Sequence, residues 1–309
     1  MKVSIGEREM DYPSDQLGQL NEATDLWQAG DVSGLRRRMA DDGYLLIRGL
    51  QDRDTVLNAR RAVVEYMAER HQFAPGTDPM DMVIDPSADR KDVQLMGNRE
   101  ISHEPRVRAL LESEAIFGFF ERYFDEPART FDYKWMRGVT TGQSTGSHYD
   151  VVYMGRGTVD QLFTVWTPLG DVPIESGPLT ICGGSHNLDS FAKVRATYGG
   201  SDVDRDLISG WFSEDPMELV EKFGGRWLTS GFEAGDVLIF TMFTMHSSVS
   251  NATDRFRLST DTRFQPASAP VDERWVGENP IAHYRWKEGE GDTGPFMTSM
   301  KDARAKWDL

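Results

Sequence analysis

The chain is poor in cysteine, in positive charge and in long apolar runs, and each shortage excludes a class of protein. Its 309 residues include one cysteine, Cys182, so no internal disulfide can form and a reducing compartment is expected. Lysine and arginine number 34 against 50 acidic residues, a net charge of −16, and so acidic a surface repels nucleic acid and anionic membranes. No run has the length of a membrane span, and no secretory-leader pattern follows Met1. We expect a cytoplasmic protein that binds neither nucleic acid nor membranes.

The composition and patterning predict one domain, residues 1–309, within the size range of a β-barrel enzyme with added helices. Residues 1–20 are polar and weakly patterned, which predicts a loosely held arm. Helical spacing then appears in "DVSGLRRRMADD", which stops at Gly43 before a strand at 44–47. It appears again in "DRDTVLNARRAVVEYMAERH" and, as one stretch, in "EPRVRALLESEAIFGFFERYF".

From residue 131 onward the pattern changes to short β-strands separated by glycine- and proline-bearing turns. Strands are predicted at 131–139, 143–154, 160–169 and 177–182, and again in "GRWLTS", "GDVLIFT", "MHSSVSN" and "FRLSTDTRF". Many short strands at near-regular spacing favour a sandwich or barrel over a parallel α/β sheet. The chain is therefore expected to be mainly β with flanking helices.

A long polar and aromatic stretch, residues 187–224, interrupts these strands. It carries Phe191, Tyr198, Trp211 and Phe212 among glycine, serine and aspartate. Long insertions in compact domains often cover an active site, so a lid or substrate wall is one prediction. An oligomer contact or an ordinary packed excursion explains the same composition equally well.

The segment "TGSHYDVVY", residues 145–153, places a histidine and an aspartate two positions apart. On a strand, alternate side chains share a face, so His148 and Asp150 would point the same way. An imidazole beside a carboxylate can bind a metal, share a proton or form a surface pair. The two residues alone do not distinguish these roles.

Two later residues favour the metal. His246 follows the predicted strand "GDVLIF", and Arg257 lies 11 residues further on, in the next strand. Two histidines and one carboxylate bind iron on one face and leave positions open for a co-substrate and oxygen. A buried arginine can bind the far carboxylate of a dicarboxylate co-substrate through a bidentate pair of hydrogen bonds. Taken singly, His246 is better explained as a core histidine and Arg257 as a surface cation, but the ordered set favours an iron site.

Three longer blocks resemble the phytanoyl-CoA dioxygenase family of Fe(II)/2-oxoglutarate-dependent oxygenases. They are "DDGYLLIRGL", "VWTPLGDVPIESGPLTICGGSH" and "GDVLIFTMFTMHSSVSNATDRFRLS", and the resemblance spans roughly residues 35–266. It implies a double-stranded β-helix (jelly-roll, cupin-like) core with helices outside one sheet. It also implies that His148, Asp150 and His246 bind iron and that Arg257 binds the C5-carboxylate of 2-oxoglutarate.

The resemblance implies two further contacts with 2-oxoglutarate, Trp166 and Ser248. Thr164 shares a predicted strand face with Trp166, and Ser259 shares one with Arg257, so both hydroxyls are candidate contacts as well. An ordinary core tryptophan and hydroxyls satisfied within their strands are the alternatives.

Three other residues lie in or near the matched blocks. Arg137 resembles a basic position on the strand before the histidine–aspartate pair, where it could meet an acidic substrate or form a salt bridge at the barrel rim. His186, in "GGSH", falls in a loop of the family that does not bind the metal, so a structural role is expected. Gln94 lies near a strand that often lines the family's pocket, but the match there is too loose to assign it a role.

The resemblance implies hydroxylation of a small molecule with O2, while 2-oxoglutarate becomes succinate and CO2. The carboxylate of Asp150 supports hydroxylation over halogenation, because related halogenases have a small residue there. Two alternatives stay open: a desaturation, ring closure or epimerisation with the same cofactors, and a cupin-like metal-binding protein without turnover. A mere metal binder has no need of Arg257. The sequence specifies neither the substrate nor the oligomeric state.

Overall fold

Two β-sheets that lie face to face form the centre of the computed structural model, which describes residues 1–89, 95–283 and 297–309. The strands are β1 (Lys2–Ile5), β2 (Arg8–Asp11), β3 (Leu17–Gln19), β4 (Tyr44–Ile47), β5 (Ala128–Thr130), β6 (Trp135–Val139), β7 (Phe163–Pro168), β8 (Leu179–Gly183), β9 (Arg226–Thr229), β10 (Val237–Thr241), β11 (His246–Ser248) and β12 (Arg257–Pro266).

The larger sheet runs in the order β4-β10-β7-β12-β5, with β6 also paired to β12, and the smaller sheet runs β11-β8-β9-β3. All these pairs are antiparallel except β3 with β9. Because side chains alternate along a strand, every second residue of β12 from Arg257 onward faces the space between the sheets. Functional groups on that face are therefore enclosed.

Eleven α-helices lie in the described ranges. They are α1 (Thr24–Gln28), α2 (Val32–Asp42), α3 (Arg53–Ala68), α4 (Arg99–Ser102), α5 (Pro105–Leu111), α6 (Glu114–Phe124), α7 (Val151–Met154), α8 (Ala192–Ala196), α9 (Val203–Asp206), α10 (Pro216–Glu221) and α11 (Met300–Lys306). Of these, α1, α2 and α6 cover the outer face of the larger sheet. The contact between α6 and β12 includes Phe120 stacked on Phe264, with ring centroids 4.6 Å apart. None of the helices in the described ranges is long and apolar enough to cross a membrane.

The helix-to-strand boundary at Gly43 lies where the sequence predicts it. The Asp31 side chain caps the start of α2 by accepting a hydrogen bond from the Gly34 N–H. Gly43 ends the helix in the left-handed region, with φ at +79°, a conformation that costs glycine little. A Cβ at Gly43 would lie 2.5 Å from Nδ1 of His186. His186 therefore packs under this turn, and its other ring nitrogen lies 3.1 Å from the Ala40 carbonyl.

Two predictions of local structure are wrong. The single helix predicted before Pro127 is two helices, because Ser113 accepts a hydrogen bond from the Ile116 N–H and starts α6 afresh. The strand predicted at 143–154 is reduced to two isolated bridges, Ser147 with Ser213 and His148 with His246, and α7 begins immediately after Asp150. The aspartate thus stands at a strand-to-helix turn and not within a strand.

The amino terminus differs from the loosely held arm that the sequence predicts. Residues 2–11 form the antiparallel hairpin β1–β2, whose Val3, Ile5 and Met10 are buried in the largest hydrophobic cluster. The Ser250 N–H donates to the Ser4 carbonyl at 2.7 Å. Apolar and polar residues alternate along β1, so the hairpin has one buried face. The segment is short and mostly polar, so its sequence alone does not reveal this face.

Candidate active site

Three buried side chains converge between the sheets. The metal-binding atoms of His148, Asp150 and His246 all lie within 4.8 Å of one another. The backbone brings them together, because His148 and His246 exchange two hydrogen bonds, at 3.1 and 3.0 Å. Oδ1 of Asp150 is 3.6 Å from Nε2 of His148 and 3.7 Å from Nε2 of His246. Three ligand atoms therefore surround one point.

Both imidazoles are oriented by main-chain carbonyls. Nδ1 of His148 is 2.8 Å from the Gly146 oxygen, and Nδ1 of His246 is 3.1 Å from the Thr244 oxygen. A carbonyl only accepts hydrogen bonds, so Nδ1 carries the proton and Nε2 presents its lone pair. Burial, and then the neighbouring His246, lower the pKa of His148 to about 3, and burial also lowers the pKa of His246. Neutral imidazoles, the form that binds metals, result at physiological pH.

The two oxygens of Asp150 have different partners. Oδ2 accepts hydrogen bonds from Thr164 Oγ1 at 2.5 Å and from Arg263 Nη2 at 2.8 Å, while Oδ1 faces the imidazoles. Burial alone would raise the pKa of Asp150, but the charge of Arg263, the two neighbouring histidines and the Thr164 hydrogen bond together outweigh burial and hold this pKa well below its usual range. The carboxylate is ionised and fixed in orientation. Two neutral imidazoles and one carboxylate oxygen are a donor set that suits Fe(II).

Thr164 and Arg263 differ from the sequence-based assignment. Thr164 was a candidate contact of 2-oxoglutarate, but its hydroxyl donates to Asp150 instead. Arg263 was not assigned a role; it is 2% exposed and its guanidinium lies 4.3 Å from the ring centroid of Trp135. Its spacing could have identified it as a site residue, because Arg263 lies six residues after Arg257 and so shares the inner face of β12.

Arg257 lies in the enclosed space with part of its guanidinium available. Nε donates to the Gly177 carbonyl at 3.1 Å, and Nη1 donates to Ser259 Oγ at 2.6 Å. Nη2 has no partner among residues 1–89, 95–283 and 297–309. Burial, and then the charge of Arg137, lower the pKa of Arg257 to about 10, so it remains a cation at neutral pH. The side chain is an anchor for an anion.

The remaining predicted co-substrate contacts, Trp166, Ser259 and Ser248, differ in availability. The Trp166 ring centroid lies 5.9 Å from the Arg257 guanidinium. The Ser259 hydroxyl is occupied by Arg257. The Ser248 hydroxyl accepts a hydrogen bond from the Thr145 N–H at 3.0 Å and is buried. Trp166 is thus placed as an apolar wall, and the two serines hold other groups of the site in position.

Arg137 forms a salt bridge, one of the two roles that the sequence left open. Its Nε donates to Oδ2 of Asp261 at 2.6 Å, and it also lines a cavity of about 450 Å³ together with Thr145 and Val139. Asp261, on the inner face of β12, was not singled out from the sequence. Gln94 lies outside the described residues.

A second cavity, of about 980 Å³, lies beside α11. The predicted lid segment contributes Trp211 and Phe212 to its wall. Phe191 and Tyr198 of the same segment are instead fully buried in the hydrophobic cluster around the hairpin. The segment is therefore part core and part cavity wall.

Solved structures share this fold. The non-heme alpha-ketoglutarate-dependent epimerase SnoN from nogalamycin biosynthesis aligns with a TM-score of 0.53 at 20% identity, over 88% of this chain and 95% of that protein. EctD from S. alaskensis aligns with a TM-score of 0.55 at 16% identity, over 86% and 85% of the two chains. These likenesses confirm the predicted jelly-roll core with flanking helices.

Sequence comparison defines the family. The profile of the phytanoyl-CoA dioxygenase (PhyH) family matches residues 39–259, and the chain belongs to that family, as the sequence blocks predicted. It is 27% identical over 259 residues to the 1-deoxypentalenic acid 11-beta-hydroxylase of Streptomyces arenae, covering 77% of this chain and 83% of that protein. A hydroxylase of the same name from Streptomyces exfoliatus is also 27% identical, over 255 residues.

Proposed function

We propose that this protein is an Fe(II)- and 2-oxoglutarate-dependent dioxygenase that hydroxylates a small molecule and releases succinate and CO2. One observation carries the proposal: Nε2 of His148, Nε2 of His246 and Oδ1 of Asp150 face a common point, and a buried, partly unpaired arginine lies in the same enclosed space. Membership of the phytanoyl-CoA dioxygenase family and similarity to two proteins named as hydroxylases support it.

Each protein group has a task that follows from its contacts. His148, Asp150 and His246 would hold the iron, which together with 2-oxoglutarate and O2 supplies the oxidising chemistry. Thr164 and Arg263 fix the aspartate by holding its Oδ2, so that Oδ1 stays directed at the metal position. The enclosed space between the sheets excludes water from the reaction.

The anchor for 2-oxoglutarate is Arg257. A guanidinium carries five N–H groups in a planar fork, and Gly177 and Ser259 use two of them. The three that remain can hold a carboxylate through two parallel hydrogen bonds. Arg257 forms no ion pair within the described residues, and a buried cation without an ion-pair partner is costly. The site therefore argues for a bound dicarboxylate and against a protein that binds only a metal.

We also propose that residues 1–309 act as one domain in the cytoplasm. One hydrophobic cluster joins Val3 of the hairpin, Phe191 of the lid segment and Met300 of α11. A core shared by the two ends of the chain supports a single folding unit. The buried free thiol of Cys182 is compatible with a reducing compartment.

The test is succinate formation from 2-oxoglutarate under air with Fe(II), across a panel of small molecules, with product analysis by mass spectrometry. A product heavier by one oxygen atom is expected, and His148→Ala should abolish turnover. His186→Ala is the matched control, because His186 packs under Gly43 and away from the three ligands; it should retain activity. Turnover by His148→Ala at equal iron loading would remove that residue from the site.

A further inference from the structure

The 980 Å³ cavity lies one side chain away from the metal position. It occupies the space between residues 209–214 and α11, and Tyr153 forms part of its wall. The Tyr153 ring also packs edge-on against the ring of His148, with centroids 5.6 Å apart. A molecule in the cavity would therefore meet Tyr153 immediately before the iron ligands.

Apolar side chains dominate the walls of this cavity. Trp211, Phe212, Met297, Met300 and Leu309 all line it, and Trp211 is 42% exposed, which is unusual for a side chain of this size. Its volume is at the upper end of the range of about 300–1,000 Å³ for ligand pockets. A small polar metabolite would leave most of this surface unfilled.

Two polar side chains of the walls, Arg304 and Ser213, are engaged by Glu218, which does not itself line the cavity. Arg304 pairs with Glu218 at 2.9 Å and stacks on the Phe212 ring, with its guanidinium 4.3 Å from the ring centroid. The Ser213 hydroxyl also donates to Glu218, at 2.8 Å. Lys301 and Glu214, which carry opposite charges, both line the cavity on exposed positions. The lining therefore favours neither sign of ligand charge.

Tyr153 differs from Arg304 and Ser213 in this respect. Its hydroxyl has no hydrogen-bond partner in the described part of the chain. A Cβ at position 210 would lie 1.9 Å from this hydroxyl, so Gly210 leaves the room that the phenol occupies.

Building on the proposed function, we propose that this cavity receives the substrate, and that the substrate is a bulky, mainly apolar molecule with a hydrogen-bond acceptor near the carbon to be oxidised. Tyr153 donates to that acceptor and so positions the carbon at the metal. A ligand without the acceptor would leave the Tyr153 hydroxyl unpaired on binding, which disfavours it. The apolar remainder of the ligand replaces water against Trp211 and the two methionines.

The binding probe is 1-anilinonaphthalene-8-sulfonate, an apolar fluorophore with a sulfonate acceptor. Its fluorescence is titrated against protein loaded with Fe(II) and 2-oxoglutarate without oxygen. We expect one tight site per chain, displacement by progesterone, a tetracyclic ketone, and no displacement by L-proline, a small zwitterion. Displacement by L-proline but not by progesterone would overturn the proposed substrate class.

A matched pair of variants locates the probe. Ala305→Trp fills the cavity from an exposed position of α11, whereas Ala196→Trp adds the same bulk at an exposed position of α8 that does not line the cavity. Ala305→Trp should weaken binding at least tenfold, and Ala196→Trp should leave it unchanged. Equal binding by the two variants would show that the probe sits elsewhere and would overturn the assignment of the cavity.

Tyr153→Phe tests the donor. Loss of one hydrogen bond to a charged acceptor should weaken probe binding about tenfold, and unchanged affinity would remove Tyr153 from the proposal. The metal-to-ligand charge-transfer absorbance of the Fe(II)–2-oxoglutarate complex is recorded in the same samples. If the charge-transfer absorbance is present but the variants bind the probe as the wild type does, only this inference is refuted. If the absorbance is absent in the wild type, the proposed function is refuted.

Discussion

Replacement of Arg257 by alanine separates the binding of 2-oxoglutarate from the binding of iron. The guanidinium is buried between the sheets and held in place by Gly177 and Ser259, so little reorganisation is needed when a carboxylate binds. Alanine would remove the anchor while leaving the three candidate iron ligands intact. The expected result is weak 2-oxoglutarate binding at an unchanged iron content.

The size of the effect follows from the burial. Truncation of one partner in a buried, charge-assisted pair costs about 2–5 kcal/mol, because the other charge is left desolvated and unpaired. At about 1.4 kcal/mol per factor of ten, Arg257→Ala should weaken 2-oxoglutarate binding by roughly 30-fold to several thousand-fold. Arg257→Lys should restore only part of the affinity, because a single ammonium cannot reproduce the two-pronged contact.

The assay is an anaerobic titration of 2-oxoglutarate into Fe(II)-loaded protein, followed by the charge-transfer absorbance. Arg255→Ala is the matched control, since Arg255 is an exposed arginine two residues earlier that pairs with Asp81 at the surface. It should bind 2-oxoglutarate as the wild type does. Wild-type affinity in Arg257→Ala would refute the anchor, and Arg137, another cation near the site, would be tested next.

Three further predictions concern the support of the site and the stability of the fold. Thr164→Val removes a hydrogen bond to Asp150 and should weaken Fe(II) binding about tenfold, measured by competition with a chelator. Gly43→Ala should lower the melting temperature more than Gly49→Ala, because both have positive φ but only Gly43 lacks space for a methyl group; equal losses would contradict this. The pKa of His148, about 3 when folded, lies below the value of about 6.5 in an unfolded chain. The unfolded state therefore binds the proton first as the pH falls, so metal-free protein should lose stability below about pH 6.5, with a shallower loss in His148→Gln.

Much of the fold could be predicted because local signals determine it. The stop of α2 at Gly43 and the strand that follows depend on a left-handed turn that favours glycine. The strands around Trp166 and Arg257 have the residue types and turn spacing of a β-sandwich or barrel. Resemblance to a family then supplied the topology, which local patterns alone do not fix.

The errors arise where non-local contacts decide the structure. His148 is held by hydrogen bonds to His246, 98 residues away in the chain, so no regular strand is needed to bring Asp150 close. The hydroxyl of Thr164 donates to the aspartate, a contact that depends on the register of β7 against β12, which pairs Thr164 with Arg263. Residue spacing predicted the face of the strand on which Thr164 lies but not its hydrogen-bond partner.

Anomalous diffraction at the iron edge, from crystals grown without oxygen in Fe(II) and 2-oxoglutarate, tests the central claim most directly. The account predicts one iron peak per chain, about 2.0–2.2 Å from Nε2 of His148, Nε2 of His246 and Oδ1 of Asp150, as for other first-row metals. It also predicts the far carboxylate of 2-oxoglutarate within hydrogen-bond distance of Arg257. An iron peak at any other residues, or none at full occupancy of 2-oxoglutarate, would contradict the account.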